Sequence, residues 1–292
     1  MITKISKATS EALDQVSSFV IEDQEYMKEN FPQCKSKEEV TEVLNKAGDN
    51  WNIFVADRPI ALCSLQLNGP EATLERFCIE NPTALQASIP ILQSDLRHMR
   101  VASSVVIVSE RQEKAFSVGG YQKTDTLVTF AKTVSETQLM PILPMSNLSE
   151  KDIPTIAKLM LESYANSKEK FQEPKSAEAY LRSIMKGTSG TFLSDASFIS
   201  GAQGNLVSAC FVASDMPKVA RVVQLFTHPL YRARGLATTE LVTGMNRLRK
   251  LGVLTLTALI PQSNEVAVRL LTKLEFDRGK AVVEMVKPLG QK

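Results

Sequence analysis

A short basic loop with a single glycine joins an apolar strand to a helix in the second half of the chain. The strand ends at Thr227-His228, the loop carries Arg232, Arg234 and Gly235, and the helix starts near Ala237. The first N–H groups of a helix have no partner within it and form the positive end of its dipole, so a helix start of this kind binds phosphate anions. Glycine lets the backbone approach such an anion without an intervening side chain. The pattern therefore predicts a diphosphate site.

Two motifs in this half are similar to signatures of one enzyme family. Arg232-x-x-Gly235-x-Ala237 resembles motif A of the GCN5-related N-acetyltransferases, Arg/Gln-x-x-Gly-x-Gly/Ala. Further along, Asn264-x-x-Ala267-x-x-Leu270-Leu271-x-Lys273-x-Glu275-Phe276 resembles the last signature of that family, Asn-x-x-Ala-x-x-Leu-Tyr-x-Lys-x-Gly-Phe. The resemblance extends from residue 146 to residue 292, with the family's order of elements.

The resemblance implies acetyl-coenzyme A as co-substrate and transfer of its acetyl group to a primary amine by direct attack. In the family, the strand before the loop pairs with the pantetheine arm and places the acetyl carbonyl. Backbone N–H groups of the loop wrap the diphosphate, and an asparagine before the next helix contacts the pantetheine. By position, the residues expected to bind the co-substrate are Leu225, Phe226, Thr227, Arg232, Ala233, Arg234, Gly235, Leu236, Ala237, Thr238 and Asn264.

The acid and base positions of the family are not ionisable in this chain. Leu271 stands where the family often has a tyrosine that protonates the leaving thiolate, and Gln224 and Leu259 stand where other members have an acidic base. The catalytic residues are therefore left open by the sequence. The candidates that remain are Ser263, His228 and Tyr164, although a loop histidine and a helical tyrosine also fit structural roles.

Three functions remain compatible with this pattern. The first is N-acetylation of a small-molecule amine, which the sequence favours. The second is N-acetylation of a protein or peptide. The third, indicated by the missing tyrosine and the missing acid, is a catalytically silent scaffold that binds acyl-CoA and regulates a partner.

The predicted elements occur twice along the chain in the same order. Each half contains a strand, two helices, about three strands, a helix, a strand, a helix and a final strand. The segment 77–82 corresponds to 225–229, and the segment 127–132 to 282–287, at a nearly constant separation. Repetition at such a long period indicates two similar domains and not a solenoid. The predicted fold is α/β (α+β, mixed sheet), with two tandem domains of the acyl-CoA N-acyltransferase type at residues 1–135 and 138–292.

The sheet of the second domain is expected to contain one parallel strand pair. Strands at residues 222–227 and 253–260 flank a helix at 237–250, and a parallel pair requires a crossover connection of this kind. The first strand of this domain is expected at residues 140–144 and its last at 281–286.

The first domain lacks the loop that would bind a diphosphate. The corresponding segment, residues 82–90, contains neither glycine nor arginine, and Pro90 has no N–H to donate. We therefore expect the first domain to be a degenerate copy that does not bind the co-substrate.

The composition excludes several other classes of protein. A net charge of +2 argues against nucleic acid and membrane partners, and no segment resembles a signal peptide or a membrane span. The four cysteines and two histidines lack the spacing of a metal site. We expect buried free thiols, no metal and a cytoplasmic protein. The oligomeric state is undetermined by the sequence.

Overall fold

The computed structural model describes residues 4–7, 10–22, 34–47, 51–55, 59–68, 70–79, 82–137, 139–165 and 173–290. The chain forms two compact units. The first unit consists of Met1–Thr129, Ile260–Asn264 and Gly279–Lys292, and the second of Phe130–Leu259 and Glu265–Arg278.

The elements of the described chain follow the predicted order. The helices are α1 (Ser10–Glu22), α2 (Lys37–Ala47), α3 (Pro82–His98), α4 (Glu110–Val118), α5 (Ile153–Tyr164), α6 (Pro174–Met185), α7 (Leu236–Lys250) and α8 (Glu265–Lys273). The strands are β1 (Lys4–Lys7), β2 (Trp51–Val55), β3 (Pro59–Asn68), β4 (Glu71–Ile79), β5 (Ser103–Ser109), β6 (Gln122–Thr133), β7 (Met145–Asn147), β8 (Thr191–Phe192), β9 (Phe198–Ala202), β10 (Asn205–Met216), β11 (Val219–Thr227), β12 (Thr255–Pro261) and β13 (Asp277–Pro288). The pattern of apolar residues predicts the first helix over residues 10–29, and its last part, residues 23–29, lies outside the described residues.

The sheet of the first unit is mixed. Strands β1 to β4 pair in sequence order and antiparallel, whereas β4 and β5 pair in parallel, with α3 as the crossover between them. Buried side chains of β4, β5 and α3 form the core of this unit with the ring cluster of Phe77, Phe116 and Tyr121. All four cysteines of the chain are buried, as predicted, and none of them forms a disulfide bond.

Helix α3 replaces the loop that was expected at residues 82–90. The helix begins at Pro82 and continues through Pro90. Proline is tolerated in the first turn of a helix, where its missing N–H would have no partner in any case. The first unit therefore has no loop at the position that holds the basic, glycine-containing loop in the second unit.

The final strand of the chain lies in the first unit. From Gly279 onward β13 belongs to this unit, and it pairs antiparallel with β5 from Val282↔Ser109 to Pro288↔Ser103. Lys287 Nζ donates to Gln93 Oε1 at 2.9 Å and to the carbonyl of Gly119 at 2.6 Å, which ties the strand to α3 and to the end of α4. The bounds of the compact units differ from the predicted ranges at residues 130–135, 260–264 and 279–292. The division into domains at 1–135 and 138–292 stays a prediction.

The second unit repeats the mixed sheet. Its order is β7-β9-β10-β11-β12, with β8 paired to β10, and its pairs are antiparallel except β11 and β12. The predicted parallel pair is confirmed, with the register Val219↔Thr255 to Val222↔Ala258 and α7 as the crossover. Helices α5 and α6 pack on this sheet through a buried apolar cluster that includes Ile156, Leu181, Phe211 and Phe226.

The segment between β6 and β7 runs along α7 in the second unit. Near its start, Thr137 exchanges two hydrogen bonds with Asn246, and near its end Ile142 reaches Gly235. The prediction of a strand at residues 140–144 is wrong, since the strand begins at Met145. Pro141 and Pro144 have no N–H for a strand ladder, which explains the later start.

Candidate functional site

Strand β11 has one edge that is only partly paired. Residues 224–227 pair with β10, from Phe211↔Gln224 to Ser208↔Thr227. On the other edge, the register with β12 ends at Val222↔Ala258, although β11 continues to Thr227. Because successive residues of a strand direct their N–H and C=O groups to opposite edges, some of the backbone groups of the described residues 225–227 face away from β10 and lie beyond the β12 ladder. An extended polar chain can add to such an edge as a further strand does.

The loop after β11 ends in a backbone conformation that favours glycine. Gly235 is the N-cap of α7 with φ 80°, and Ala233 also has a positive φ of 59°. A Cβ built on Gly235 would lie 2.9 Å from Ile142 Cδ1. The N–H and the hydroxyl of Thr239 both donate to the Gly235 carbonyl, at 2.9 and 3.0 Å, which fixes the first turn of α7. The start of this helix has no side-chain cap, as a site for an anion requires.

The two loop arginines have different surroundings. Arg232 donates from Nη2 to the Ser163 carbonyl at 2.6 Å, in the last turn of α5, and from Nε to the Thr227 carbonyl at 3.3 Å. A cation is favourable at the carbonyl end of a helix, so Arg232 fastens the loop to α5 and to the end of β11. Arg234 is exposed, and its guanidinium carbon lies 5.0 Å from the ring centre of Tyr231. Arg234 is therefore the loop arginine better placed to meet an anion from solvent.

Gln224 links two tyrosines in a hydrogen-bonded row. Tyr164 Oη donates to Gln224 Oε1 at 2.9 Å, and Gln224 Nε2 donates to Tyr180 Oη at 2.9 Å. The ring of Tyr164 also contacts Phe226, with ring centres 5.9 Å apart. This row, formed by Tyr164, Gln224 and Tyr180, lies on the face of β11 covered by α5 and α6 and carries no acidic or basic side chain.

His228 caps the turn that follows β11. Its Nδ1 accepts from the N–H of Leu230 at 3.2 Å, and its Nε2 lies 3.5 Å from Glu162 Oε2. Because Nδ1 is an acceptor, the proton of the neutral ring resides on Nε2 and faces the carboxylate. Both nitrogens are thus occupied by protein groups, which favours the structural role of this histidine over that of a base.

The remaining two candidates from the sequence, Ser263 and Asn264, lie outside the second unit. Ser263 and Asn264 fall in the first unit, with Ile260–Asn264, and the Asn264 N–H donates to the Pro261 carbonyl at 2.9 Å. Leu271 falls in the second unit and is buried in α8. The functional roles of Ser263 and Asn264 stay predictions.

A buried carboxyl group beside the loop was missed by the sequence analysis. Glu240, on α7, is fully buried and accepts hydrogen bonds from Ser200 Oγ at 2.6 Å and Ser208 Oγ at 2.9 Å. Burial raises the pKa of Glu240 to about 7, although both serines act to lower it. The sequence did contain a signal, because Glu240 is four residues from Leu236 and from Gly244 and so shares their buried face of α7.

Neither a metal cluster nor a membrane helix occurs in the part of the chain that the structure describes. There, no group of three or more histidine, cysteine, aspartate or glutamate side chains could hold a metal ion. No described helix combines the length and the hydrophobicity needed to cross a bilayer.

Solved structures with the same fold span nearly the whole chain. A GCN5-related N-acetyltransferase from Sphaerobacter thermophilus is 13% identical with a TM-score of 0.67, and the match covers 98% of this chain and 96% of that one. A tandem GNAT protein from the clavulanic acid biosynthesis pathway is 11% identical with a TM-score of 0.58 and 99% coverage of both chains. A GNAT-family acetyltransferase from Colwellia psychrerythraea is 12% identical with a TM-score of 0.53, covering 97% of this chain and 98% of the other.

Sequence comparison gives no such match. No protein-family model and no curated protein matches this chain. At identities this low a shared structure establishes the fold and leaves the activity to be argued from the site. Over nearly its whole length, the chain has the fold of the GCN5-related N-acetyltransferases, in the tandem form with a mixed sheet.

Proposed function

We propose that the second unit binds acetyl-CoA and transfers its acetyl group to the amine of a small molecule. One observation carries the proposal: the partly paired edge of β11 leads directly into a loop and an uncapped helix start at Gly235. The first feature suits an extended chain with amide groups, and the second suits a diphosphate. Acetyl-CoA carries these two groups in this order.

The residues of the second unit fit this co-substrate. Leu225, Phe226 and Thr227 would pair through their backbones with the pantetheine amides, and the N–H groups at the start of α7 would receive the diphosphate. The residues of the loop and helix start that would bind there are Arg232, Ala233, Arg234, Gly235, Leu236, Ala237 and Thr238. The contact of Asn264 with the pantetheine stays a prediction, since Asn264 falls in the first unit.

The proposed reaction is a direct displacement. The amine nitrogen forms a bond to the thioester carbonyl carbon, the carbon–sulfur bond breaks, and the sulfur leaves as a thiolate. The proton that the nitrogen loses as it becomes an amide passes, directly or through water, to this thiolate. The protein contributes to this step by holding the two reactants in position, because Gln224 and Leu271, at the family's usual base and acid positions, do not titrate. The amine is expected to lose its proton to solvent before it attacks.

The row of Tyr164, Gln224 and Tyr180 supports a small acceptor. These side chains are hydrogen-bonded to one another and half-buried, so they form a fixed, neutral wall on the α5 and α6 face of β11. A wall of this kind suits an acceptor with an apolar or aromatic part and a single amine, whereas a peptide acceptor requires an extended groove.

A silent acyl-CoA-binding scaffold is the second candidate. Two observations favour it. Leu271, at the position of the family's usual acid, is buried and apolar. Gln224, at the position of the usual base, is hydrogen-bonded to two tyrosines. Such a protein would bind the co-substrate and respond to it without turnover.

Release of free thiol from acetyl-CoA separates these functions. The purified full chain is mixed with acetyl-CoA and with panels of small amines and of peptides that carry free N-termini or lysines. Turnover on small amines supports the proposal, and turnover only on peptides supports a protein acetyltransferase. Calorimetric binding of acetyl-CoA without turnover on either panel supports the scaffold, and absence of binding contradicts all three.

A further inference from the structure

The buried carboxyl group of Glu240 is hydrogen-bonded to a series of hydroxyl groups. Ser200 on β9 and Ser208 on β10 both donate to it, and all three side chains are buried. Ser208 Oγ also lies 3.0 Å from Thr227 Oγ1 and 3.2 Å from the Phe226 carbonyl. A continuous hydrogen-bonded path therefore runs from Glu240 through Ser208 to Thr227, the last residue of β11.

The protonation of Glu240 decides in which direction the hydrogen bonds along this path are donated. Ser208 has one hydroxyl proton. When Glu240 is a carboxylate it can only accept, so Ser208 donates to Glu240 and accepts from the hydroxyl of Thr227. The proton of Thr227 is then engaged with Ser208 and cannot be donated to a ligand.

Protonation of Glu240 reverses the direction of hydrogen-bond donation along the path. A carboxylic acid can donate to Ser208, whose own proton is then available for donation to Thr227 Oγ1. The proton of Thr227 is released from Ser208 and can be donated outward. The carbonyl and phosphate oxygens of an acyl-CoA accept hydrogen bonds, so this second state suits such a ligand better.

The surroundings of Glu240 hold few other charges. The ionisable side chains described on the segments that pack against α7 are Cys210 on β10, Arg221 on β11, Asp195 in the turn 194–196 and Glu136 in the segment before β7. Of these, Cys210 is coupled to Glu240, whose charge adds to burial in raising the pKa of the Cys210 thiol well above its usual value. Cys210 therefore stays neutral while Glu240 titrates.

We propose that Glu240 is a positioning residue, which through Ser208 sets the direction of the Thr227 hydrogen bond and thereby the affinity of β11 for acyl-CoA. The inference rests on the proposed function, since it assigns Thr227 to the co-substrate site. It predicts that the protein binds acyl-CoA more tightly when Glu240 is protonated. The affinity therefore falls as the pH rises through the pKa of Glu240, which burial raises to about 7.

Calorimetry with dephospho-CoA tests this inference. This ligand lacks the 3′-phosphate, whose own titration near pH 6 would otherwise contribute to the pH dependence. The wild type should lose affinity about fivefold between about pH 6 and about pH 8, the change expected for one hydrogen bond. Glu240→Gln should bind with the same affinity at both pH values, because the amide N–H group can donate to Ser208 at either pH.

Two further variants keep the test valid if Glu240→Gln does not fold. Ser208→Ala interrupts the path, and Thr227→Val removes the hydroxyl at its end while keeping the shape of the side chain. Both should lose the pH dependence. If Glu240→Gln, or both of these variants, kept the wild-type fall in affinity, the inference would be overturned and the proposed function would stand. Absence of binding by the wild type at either pH would overturn the proposed function and this inference with it.

Discussion

Two constraints act on Gly235, its backbone angle and the side chain of Ile142. An alanine at this position adopts the left-handed conformation at a cost of about 1–2 kcal/mol, and its Cβ would lie too close to Ile142 Cδ1. Gly235→Ala is therefore expected to lower the free energy of unfolding by about 1–2 kcal/mol, measured by urea denaturation. Most of this comes from the backbone angle and less from Ile142, because Cδ1 is the end of an exposed side chain that can shift.

A double-mutant cycle separates these two constraints. Ile142 is half exposed, so Ile142→Ala alone should cost less than about 1 kcal/mol and serves as the control. In the Ile142→Ala background, Gly235→Ala should cost only the part due to the backbone angle. Strictly additive effects of the two substitutions would show that Ile142 does not constrain this position.

The burial of Glu240 predicts a pH dependence of stability. Its pKa is raised in the folded state to about 7 from an ordinary value of 4.5, so its stabilising contribution is complete below the ordinary value and is lost as the pH rises through the folded value. The wild type should therefore lose up to about 3 kcal/mol of unfolding free energy between about pH 5 and about pH 8 relative to Glu240→Gln. Parallel pH profiles of the two proteins in urea denaturation would contradict this assignment.

The neutral side chain of Gln224 predicts the pH dependence of turnover. With no base at this position, kcat/KM of the wild type should rise with pH and follow the pKa of the acceptor amine. Gln224→Glu introduces a carboxylate beside the Tyr164 hydroxyl and should raise kcat/KM near neutral pH about 100-fold, as a positioned general base does.

Gln224→Leu is the matched control for this substitution. It removes the hydrogen bonds to both tyrosines without adding a base, so it should keep the wild-type shape of the profile. A bell-shaped wild-type profile that is the same for amines of different pKa would reveal an acid and a base elsewhere in the chain.

At the scale of elements, the last strand of the chain completes the sheet of the first unit. Lys287 fastens β13 to Gln93 and to the Gly119 carbonyl. Lys287→Met should lower the stability of the first unit by about 1–3 kcal/mol, because the carbonyl loses a charged donor. The single tryptophan of the chain, Trp51, belongs to the first unit, so its fluorescence during urea denaturation reports on that unit.

Lys123→Met provides the comparison for Lys287. It removes the same charge from the neighbouring strand β6, where Lys123 forms a partly exposed ion pair with Glu113 at 3.7 Å. Such pairs contribute at most about 1 kcal/mol. Equal shifts of the Trp51 transition in both variants would show that the contacts of Lys287 do not hold β13 in place.

The elements and the loop could be predicted because their signals are local. The spacing of apolar residues gave α7 and the parallel pair of β11 and β12, and Gly235 with its neighbouring arginines indicated the helix start. The membership of β13 in the first unit could not be predicted in this way, because partners such as Val282 and Ser109 are far apart in sequence. The same limit applies to the path from Glu240 to Thr227, which joins three elements.

At the scale of the whole molecule, the two halves share an arrangement but differ at one functional point. In each unit a helix connects a parallel strand pair, through α3 in the first and α7 in the second. Helix α3 contains the residues that correspond to the loop, whereas the second unit keeps Gly235 and an uncapped start of α7. We therefore infer that the repeat retains one co-substrate site and that the first unit serves as scaffold.

Calorimetric titration of the full chain with acetyl-CoA is the direct test of a single co-substrate site in the second unit. We expect saturable binding with one site per chain, because the loop and the helix start that suit a diphosphate occur in the second unit. Two sites per chain would contradict the assignment of the first unit, and no binding would contradict the proposed function.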